Sequence, residues 1–378
     1  MGAVRIAIVT ESFLPQVNGV TNSVLRMCEH LTLRGHEALV IAPGAGPTSW
    51  AGVPVVRVPS LPLPGYDSHR VGYPWPGMTR TLRGFGPDLV HLASPTVLGA
   101  QAVLAAQRIG VPSIAVYQTD LAAYAARYHA PAAACALWRW LGWIHAQAAC
   151  TLAPSRDAVR ELEQRGVPRV QLWPRGVDLE RFDPRHADPV LRRELAPGGE
   201  LIVGYVGRVA AEKQVHLLAG LRDVPGIQVV VVGDGPLRPA LERQLPDVRF
   251  LGLREGAELG ALYATFDVFV HTGPHETFCQ AAQEALASGL PVVAPAAGGL
   301  LDLVDDGVTG RLYTPGSAAE LRDAVAALVA DDALRASMGL AARACVAGRS
   351  WQGVGDAYLR LCDEVLGGAT VLPLPQAG

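Results

Sequence analysis

The sequence predicts an α/β protein with two doubly wound parallel-sheet domains. At 378 residues the chain is too long for one ordinary hydrophobic core, so two domains are expected. Half of its residues are hydrophobic and 18% are charged, a balance typical of globular proteins. Short apolar runs alternate with longer helical stretches, which indicates parallel strands covered by helices on both faces. Because both halves of the chain show this alternation, we predict one sheet in each half.

The first half contains six short apolar runs with helical stretches between them. The predicted strands are residues 4–9, 38–42, 54–58, 88–92, 113–117 and 149–153. The predicted helices lie near 18–34, 95–109, 121–128, 132–147 and 155–165. The segment 173–178 and the polar stretch 183–199 resemble a crossing between the halves, so we place the first domain at residues 1–175.

The second half repeats the pattern and forms a domain at residues 176–350. Its predicted strands are 201–206, 227–232, 248–251, 267–271, 291–294 and 311–313, and its helices lie near 212–221, 236–244, 257–264, 278–288 and 317–330. No strand follows the last amphipathic helix, 354–366, so we expect segment 351–378 to return to the first domain. Open parallel sheets bind ligands beyond the carboxyl ends of their strands, which predicts a cleft between the two domains.

Charge and cysteine content exclude several classes of function. A net charge of −3 provides no positive field to attract nucleic acid. The six cysteines are scattered without metal-ligand spacing, as in a cytoplasmic protein with reduced thiols. The chain start does not resemble a signal peptide, and no apolar run approaches the roughly 20 residues that span a bilayer. We therefore expect a cytoplasmic protein that at most attaches peripherally to a membrane surface.

Two cations follow the first predicted strand of the second domain. Lys213 is the one lysine among 32 basic residues, and it lies five positions after Arg208. An ammonium is a compact point charge and a guanidinium is a planar fork, so the two are not equivalent at a phosphate. Their place at a strand end predicts phosphate binding. The alternative is that Lys213 is a chance survivor on a solvated helix face.

Two loops contain glycines that could approach a ligand. Asn18-Gly19 follows the first strand, and we expect a left-handed turn there, before a helix whose N-terminus suits an anion. Gly233 and Gly235 follow another strand, but Arg238 occupies the third glycine position of a dinucleotide-binding motif. NAD is therefore disfavoured.

Glu276 and Glu284 flank the start of one predicted helix. Eight helical residues separate their backbones by about 12 Å, which exceeds the roughly 5–10 Å between the carboxyl groups of a glycoside hydrolase. We predict that they hold different parts of one long ligand; solvated helix positions are the alternative. Gly273-Pro274 separates His271 from His275 and argues against a helical metal site. We predict no metal site and no nucleophile elbow.

Several segments together resemble the family 4 retaining glycosyltransferases, which have the GT-B fold of two Rossmann-like domains. The broad resemblance rests on residues 203–208 with Glu212-Lys213, on Glu276 and Glu284, and on residues 287–293. Residues 11–15, 18–23 and 117–120 more narrowly resemble actinobacterial GDP-mannose-dependent α-mannosyltransferases that act on glycolipids. The resemblance implies a nucleotide-sugar donor, a glycolipid or lipid-linked acceptor and no required metal or other cofactor.

The resemblance also implies roles for particular residues. In the donor, the diphosphate is expected to contact Arg208, Lys213 and Gly19. The ribose is expected to contact Glu284, and the sugar is expected to contact Glu276 and the N–H groups of Phe278 and Cys279. The base is expected to contact Leu253 and Arg254. Many relatives have histidine where this chain has Gln118, which forms hydrogen bonds but cannot act as a base. Asp120 is a candidate acceptor contact, with a helix cap as its alternative. The departing phosphate then accepts the proton of the acceptor, so the transfer needs no separate base.

Two aromatic groups and three rival functions complete the interpretation. We expect Trp138, Trp140 and Trp143 to pack in the core, and the loop 73–76, with Arg70, Arg80 and Arg83 nearby, to favour a membrane surface.

The nearest rival function is the same chemistry with a UDP-hexose donor. A UDP-N-acetylglucosamine 2-epimerase would need further acid and base carboxylates, and a binding protein without turnover would not need the charged residues above.

Overall fold

The computed structural model describes residues 2–63, 66–118 and 131–368, apart from the side chains of 62–71 and 131–134. The chain divides into two compact units, Met1–Arg175 together with Trp351–Gly378, and Gly176–Ser350. Asp120 and the helix predicted at 121–128 lie outside the described residues. Among the described residues, no helix combines the length and apolar character needed to cross a bilayer.

The first unit contains an eight-stranded sheet and a separate hairpin. Its strands are β1 (Arg5–Val9), β2 (Glu37–Pro43), β3 (Ser49–Trp50), β4 (Val53–Val58), β5 (Ser60–Leu63), β6 (Tyr66–Gly72), β7 (Leu89–Leu92), β8 (Ser113–Val116), β9 (Cys150–Ala153) and β10 (Val170–Leu172). Its first helices are α1 (Gly19–Leu33), α2 (Met78–Phe85), α3 (Val97–Ile109), α4 (Pro131–Gln147) and α5 (Arg156–Gln164). The sheet order is β10-β9-β8-β7-β1-β2-β4-β3, and β5 and β6 pair with each other.

The second unit contains a six-stranded parallel sheet. Its strands are β11 (Leu201–Val206), β12 (Ile227–Val232), β13 (Arg249–Gly252), β14 (Val268–Val270), β15 (Val292–Pro295) and β16 (Gly310–Tyr313). Its helices are α6 (Pro189–Leu195), α7 (Arg238–Gln244), α8 (Gly256–Thr265), α9 (Gln280–Ala287), α10 (Ala318–Ala330) and α11 (Asp332–Val346). The strand order is β13-β12-β11-β14-β15-β16. Successive strands are added towards one edge from β11 to β13 and towards the other edge from β14 to β16, so the switch point, where such sheets bind ligands, lies between β11 and β14.

Both sheets are buried on both faces, as their continuous apolar runs predict. In β11 and β12, Ile202 and Val230 lie in one hydrophobic cluster, and Val203 and Val231 lie in another on the opposite face. The last helix, α12 (Trp351–Leu366), buries Tyr358 in a core cluster of the first unit. This helix therefore belongs to the first unit although it follows the second in sequence.

Two predictions of local structure need correction in detail. The helix expected near 212–221 is present as two 3₁₀ segments, Ala211–Lys213 and Val215–Asp223, separated by Gln214, which has a left-handed φ of 49°. The polar stretch 183–199 is not a free crossing: Asp188 caps α6 by accepting from the Val190 N–H at 2.8 Å, and the stretch lies in the second unit.

The aromatic clusters also differ from expectation. Trp140 and Trp143 are 43% and 36% exposed, so their predicted place in the core is wrong, whereas Trp138 stacks on the buried Tyr117. In the loop 73–76, the side chain of Trp75 is half-buried against a core cluster, and the backbone N–H of Trp75 donates to Gln101 Oε1 at 2.8 Å. The arginine side chain at position 70 is not among those described. The exposed indoles thus lie on α4 rather than in this loop.

Candidate active site

Lys213 forms the centre of a buried charged group at the switch point of the second unit. Its ammonium donates to Glu276 Oε1, and His271 Nε2 lies 2.9 Å from the same oxygen. Lys213 follows β11, and His271 and Glu276 follow β14, the strand beside it. The Thr272 hydroxyl donates to the Lys213 carbonyl at 2.5 Å and fixes the backbone there. Strand order therefore brings together groups far apart in sequence.

The ion pair keeps both partners charged at neutral pH. Burial alone raises the pKa of Glu276, but the Lys213 ammonium and His271 outweigh burial and lower this pKa to about 2. Burial lowers the pKa of Lys213, and the attraction of Glu276 more than offsets it, so the pKa is raised. The two side chains are only 21% and 14% exposed. The alternative that Lys213 is a solvated surface residue is therefore wrong.

Arg208 lies at the end of the same strand. Its Nη1 is 3.7 Å from Glu212 Oε1, and its carbonyl accepts from the Tyr205 hydroxyl at 3.2 Å. The side chain remains about one-third exposed. The strand end thus presents one buried ammonium and one accessible guanidinium, both suited to a phosphate.

Three side chains near Lys213 could in principle ligate a metal ion. Ligand atoms of His271, Glu276 and Cys279 lie within 4.8 Å of one another. Burial raises the pKa of the Cys279 thiol well above its ordinary value. Glu276, the carboxylate of this group, is already paired with the Lys213 ammonium.

Glu284 lies on α9 with partners of its own. The Tyr263 hydroxyl, from α8, is 3.1 Å from Glu284 Oε2. Burial raises the pKa of Glu284 to about 7, although Tyr263 and Arg181 partly oppose it. Glu276 and Glu284 thus belong to separate groups of side chains, which fits contacts to different parts of a ligand; those contacts stay a prediction.

The segment between the two acids has a strained backbone. Cys279, at the N-cap of α9, has a φ of 74°, a left-handed value rare for a residue with a side chain. The next βα loop packs on this segment, because the Gly299 N–H donates to the Glu276 carbonyl at 2.7 Å. A Cβ on Gly298 would lie 2.5 Å from that carbonyl. The loop therefore holds Glu276 and the N–H groups near Phe278 and Cys279 in place. A strained backbone conformation persists only where the surrounding structure holds it in this way.

Leu253 and Arg254 lie at the end of β13, the edge strand. Leu253 is 64% exposed, and its carbonyl accepts from Arg254 Nη1 at 3.0 Å. Arg254 Nε is 2.7 Å from Glu258 Oε1. Two strand spacings of about 5 Å separate β13 from β11, so this loop lies roughly 10 Å from the end of β11.

In the first unit, Arg175 connects two of the predicted site residues. Its guanidinium donates to the Gly19 carbonyl at 2.9 Å and to Gln118 Oε1 at 2.7 Å, and the Gln118 amide donates to the Ala93 carbonyl. Asn18 is extended, with a φ of −158°, and its side chain caps α1, so the expected left-handed turn is wrong. A Cβ on Gly19 would lie 2.8 Å from Arg175 Nη1. Gly19 therefore leaves room for this arginine.

Sequence reasoning missed Arg175, Tyr263 and the role of His271. Arg175 was interpreted as part of a crossing, although it is only 7% exposed. His271 was considered only as a metal ligand, although its position at the end of a predicted strand was a usable signal.

Comparisons with known proteins agree with this architecture. Residues 17–181 match the sequence model Glycosyltransferase Family 4, and residues 189–344 match Glycosyl transferases group 1. A GDP-mannose-dependent alpha-mannosyltransferase of Mycobacterium tuberculosis is 50% identical over 374 residues, which cover 97% of this chain and 96% of that protein. One of the same name from Corynebacterium glutamicum is 46% identical, covering 96% and 87%.

The fold is shared with solved structures. Anabaena HepE in complex with UDP matches with a TM-score of 0.79 and 21% identity, covering 94% of this chain and 98% of that one. The prediction of the GT-B fold is confirmed. The chain has two Rossmann-like units, matches two sequence models, and shares about half of its residues with relatives along nearly its whole length. This protein therefore belongs to the family 4 glycosyltransferases.

Proposed function

We propose that this chain is a retaining α-mannosyltransferase that moves mannose from GDP-mannose to a glycolipid or another lipid-linked acceptor. The observation that carries the proposal is the buried Lys213 ammonium at the switch point, held by Glu276, with the partly exposed guanidinium of Arg208 after the same strand. The names and identities of the M. tuberculosis and C. glutamicum relatives support mannose and GDP as the donor groups.

The two cations supply what the leaving group needs. Breaking a sugar–diphosphate bond places negative charge on the β-phosphate, and fixed positive charge there stabilises the transition state. Lys213 is charged and held by Glu276 and Thr272, so little reorganisation accompanies the reaction. Arg208, more accessible, binds the diphosphate as a planar fork. With these charges, the transfer requires no metal.

The remaining donor contacts follow from the positions of the acids and loops. Glu284 accepts hydrogen bonds from the ribose, and Glu276, on the Lys213 side, accepts them from the sugar. The N–H groups near Phe278 and Cys279 add contacts to the sugar and phosphate. The carbonyl and side chain of Leu253, steadied by Arg254, lie against the base.

The first unit serves the acceptor side of the reaction. The departing β-phosphate accepts the proton from the acceptor hydroxyl on the same face of the sugar, so a general base is not needed. Gln118 and the loop at Gly19 assist through hydrogen bonds, and Asp120 contacts the acceptor. Because the acceptor is a lipid, the enzyme works peripherally at the cytoplasmic membrane surface, without a nucleic-acid partner.

A donor comparison with the purified full-length protein tests this proposal. GDP at 100 times its dissociation constant should stabilise the protein by about 2.7 kcal/mol, whereas UDP at the same concentration should have little effect. Labelled GDP-mannose, but not UDP-glucose, should transfer its sugar to extracted lipid, and NMR should show an α-linkage in the product. Protection by UDP alone, or a β-linked product, would overturn the proposal.

A further inference from the structure

Helix α4 presents an unusual face to solvent. Within residues 135–147, whose side chains the structure describes, the exposed ones are Cys135, Ala136, Arg139, Trp140 and Trp143, which together we name the tryptophan face. These positions follow the helical period and form one stripe. A solvent-facing stripe is normally polar, but on this one Arg139 is the one charged residue and no side chain is a carboxylate, an amide or a hydroxyl.

The two indoles are not needed to fill the core. The opposite side of α4 is buried through Leu141, Ile144 and His145, which are at most 3% exposed. Trp140 and Trp143 instead stack on each other, with ring centroids 5.4 Å apart and an angle of 22° between the planes. Their exposed area therefore forms one continuous aromatic surface.

The neighbouring Trp138 shows what a packed indole looks like on the same helix. It stacks on Tyr117, and the Arg165 guanidinium lies 3.9 Å from its ring centroid. Trp138 thus packs against two side chains of its own chain. This contrast distinguishes the tryptophan face from ordinary core packing.

The charges near this face favour an anionic surface. The sequence of α4 contains no aspartate or glutamate, and Arg139 lies between the two exposed indoles and Cys135 along the stripe. Tryptophan prefers the boundary between hydrocarbon and water, where the ring is buried and the N–H stays wet. Arginine beside it can reach lipid phosphates.

We propose that the tryptophan face docks the enzyme on a bilayer of anionic phospholipid. The inference rests on the proposed lipid acceptor, which lies in such a bilayer, and it assigns the contact to α4 instead of the loop 73–76. Trp140 and Trp143 enter the headgroup region, and Arg139 pairs with phosphate groups. The five side chains of the face line one wide, open cavity of about 730 Å³. The occupant is a lipid surface rather than a protein because two stacked indoles and one cation suit the hydrocarbon boundary and the phosphate of an anionic headgroup.

Vesicle sedimentation with the full-length protein tests the assignment. Vesicles of phosphatidylglycerol and phosphatidylcholine are compared with vesicles of phosphatidylcholine alone, for the wild type and the double variant Trp140→Ala/Trp143→Ala. Burying the exposed part of one indole changes a partition constant by about tenfold, so the double variant should bind about 100-fold more weakly. Arg139→Glu should weaken binding only to the anionic vesicles. Leu340→Ala, which changes a 76% exposed leucine of the second unit, is the matched control and should bind like the wild type.

Two further readouts separate this inference from the proposed function. Stabilisation by GDP should be unchanged in the double variant, because none of the proposed nucleotide contacts lies on α4. Transfer to a detergent-dispersed lipid should also persist, whereas transfer to lipid in vesicles should fall. Equal vesicle binding by the wild type and the double variant would overturn the inference. Two results that accompany such equal binding would show what the tryptophan face does instead. A lower Tm of the double variant would mean that the indoles pack against the chain itself. Dissociation of an oligomer in the double variant would mean that a second copy of the chain covers the face.

Discussion

Replacing Lys213 with methionine removes the ammonium but keeps most of the side-chain length, so its effect isolates the charge. The pKa of Glu276 falls from an ordinary 4.5 to about 2, which corresponds to about 3 kcal/mol in favour of the ionised carboxylate. Lys213 is the largest influence opposing burial, and His271 acts in the same direction. In Lys213→Met the carboxylate stays buried without its cation, and loss of one half of a buried pair costs about 3–5 kcal/mol of stability.

The same substitution should affect chemistry by a similar amount. Losing one preorganised charge at a leaving group lowers kcat by about 10²–10³, or roughly 3–4 kcal/mol. Lys213→Arg should also be impaired, since a planar fork does not replace a point charge. The assays are initial rates of mannose transfer and GDP affinity by calorimetry.

Glu276→Gln is the informative partner of this variant. It should lower the transfer rate, because the sugar contact is lost, but it should not weaken GDP binding, because Lys213 no longer has its carboxylate and remains available to phosphate. Lys213→Met should weaken both. Unfolding by urea should show that the double variant Lys213→Met/Glu276→Gln is more stable than Lys213→Met, since no charge is left unpaired. Near-normal turnover in Lys213→Met, or equal loss of GDP binding in both single variants, would refute the reasoning.

Three other outcomes are expected. The pKa of Glu284 is raised to about 7, so burial disfavours its ionised form in the free protein, and the free energy of unfolding should fall as pH rises from about 4.5 to 7. GDP affinity should instead rise from pH 6 to 8, since ribose hydroxyls donate to the carboxylate. Calorimetry should show that both pH dependences are lost in Glu284→Gln. Arg175→Met should remove the donor of the buried Gln118 amide oxygen and of the partly buried Gly19 carbonyl, and should cost about 1–3 kcal/mol of stability in urea unfolding. It should also lower kcat at unchanged GDP affinity, whereas Arg175→Lys should recover part of both; no change in either quantity would remove Arg175 from the site. EDTA should leave initial transfer rates unchanged, and an absolute requirement for Mg²⁺ or Mn²⁺ would contradict catalysis by protein cations.

The regular part of the fold was predictable because its signal is local. Buried parallel strands are continuous apolar runs, so residues 201–206 and 227–232 were identified with the bounds that β11 and β12 have. Elements with weak local signals were missed. Strand β10 has only three residues, and the N-cap of α2 is Gly77, which has no side chain to cap the helix. The helix expected near 212–221 is divided into two 3₁₀ segments by one left-handed residue, Gln214, and no periodicity of apolar residues records that division.

The candidate site was predictable in its parts but not in its assembly. Lys213 and Glu276 could be singled out by residue type and by their places after strands. Their contact depends on β14 pairing with β11, although β12 and β13 lie between them in the sequence. Strand order is a property of the whole sheet, so no motif in either segment predicts the ion pair. Tyr263 was missed for the same reason, since its contact with Glu284 joins two different helices.

The glutamine at position 118 acquires a physical explanation only from the structure. The family resemblance compares Gln118 with a histidine, and a histidine can take up a proton. Here the neighbour of residue 118 is the guanidinium of Arg175, 2.7 Å from the amide oxygen and always charged. A protonated imidazole at that place would meet a like charge in a buried setting, where repulsion is strong. An amide instead offers the arginine an acceptor and offers the Ala93 carbonyl a donor, both without a charge. The loss of a titratable group at 118 and the presence of a buried arginine at 175 are therefore one arrangement, and the same guanidinium also donates to the Gly19 carbonyl.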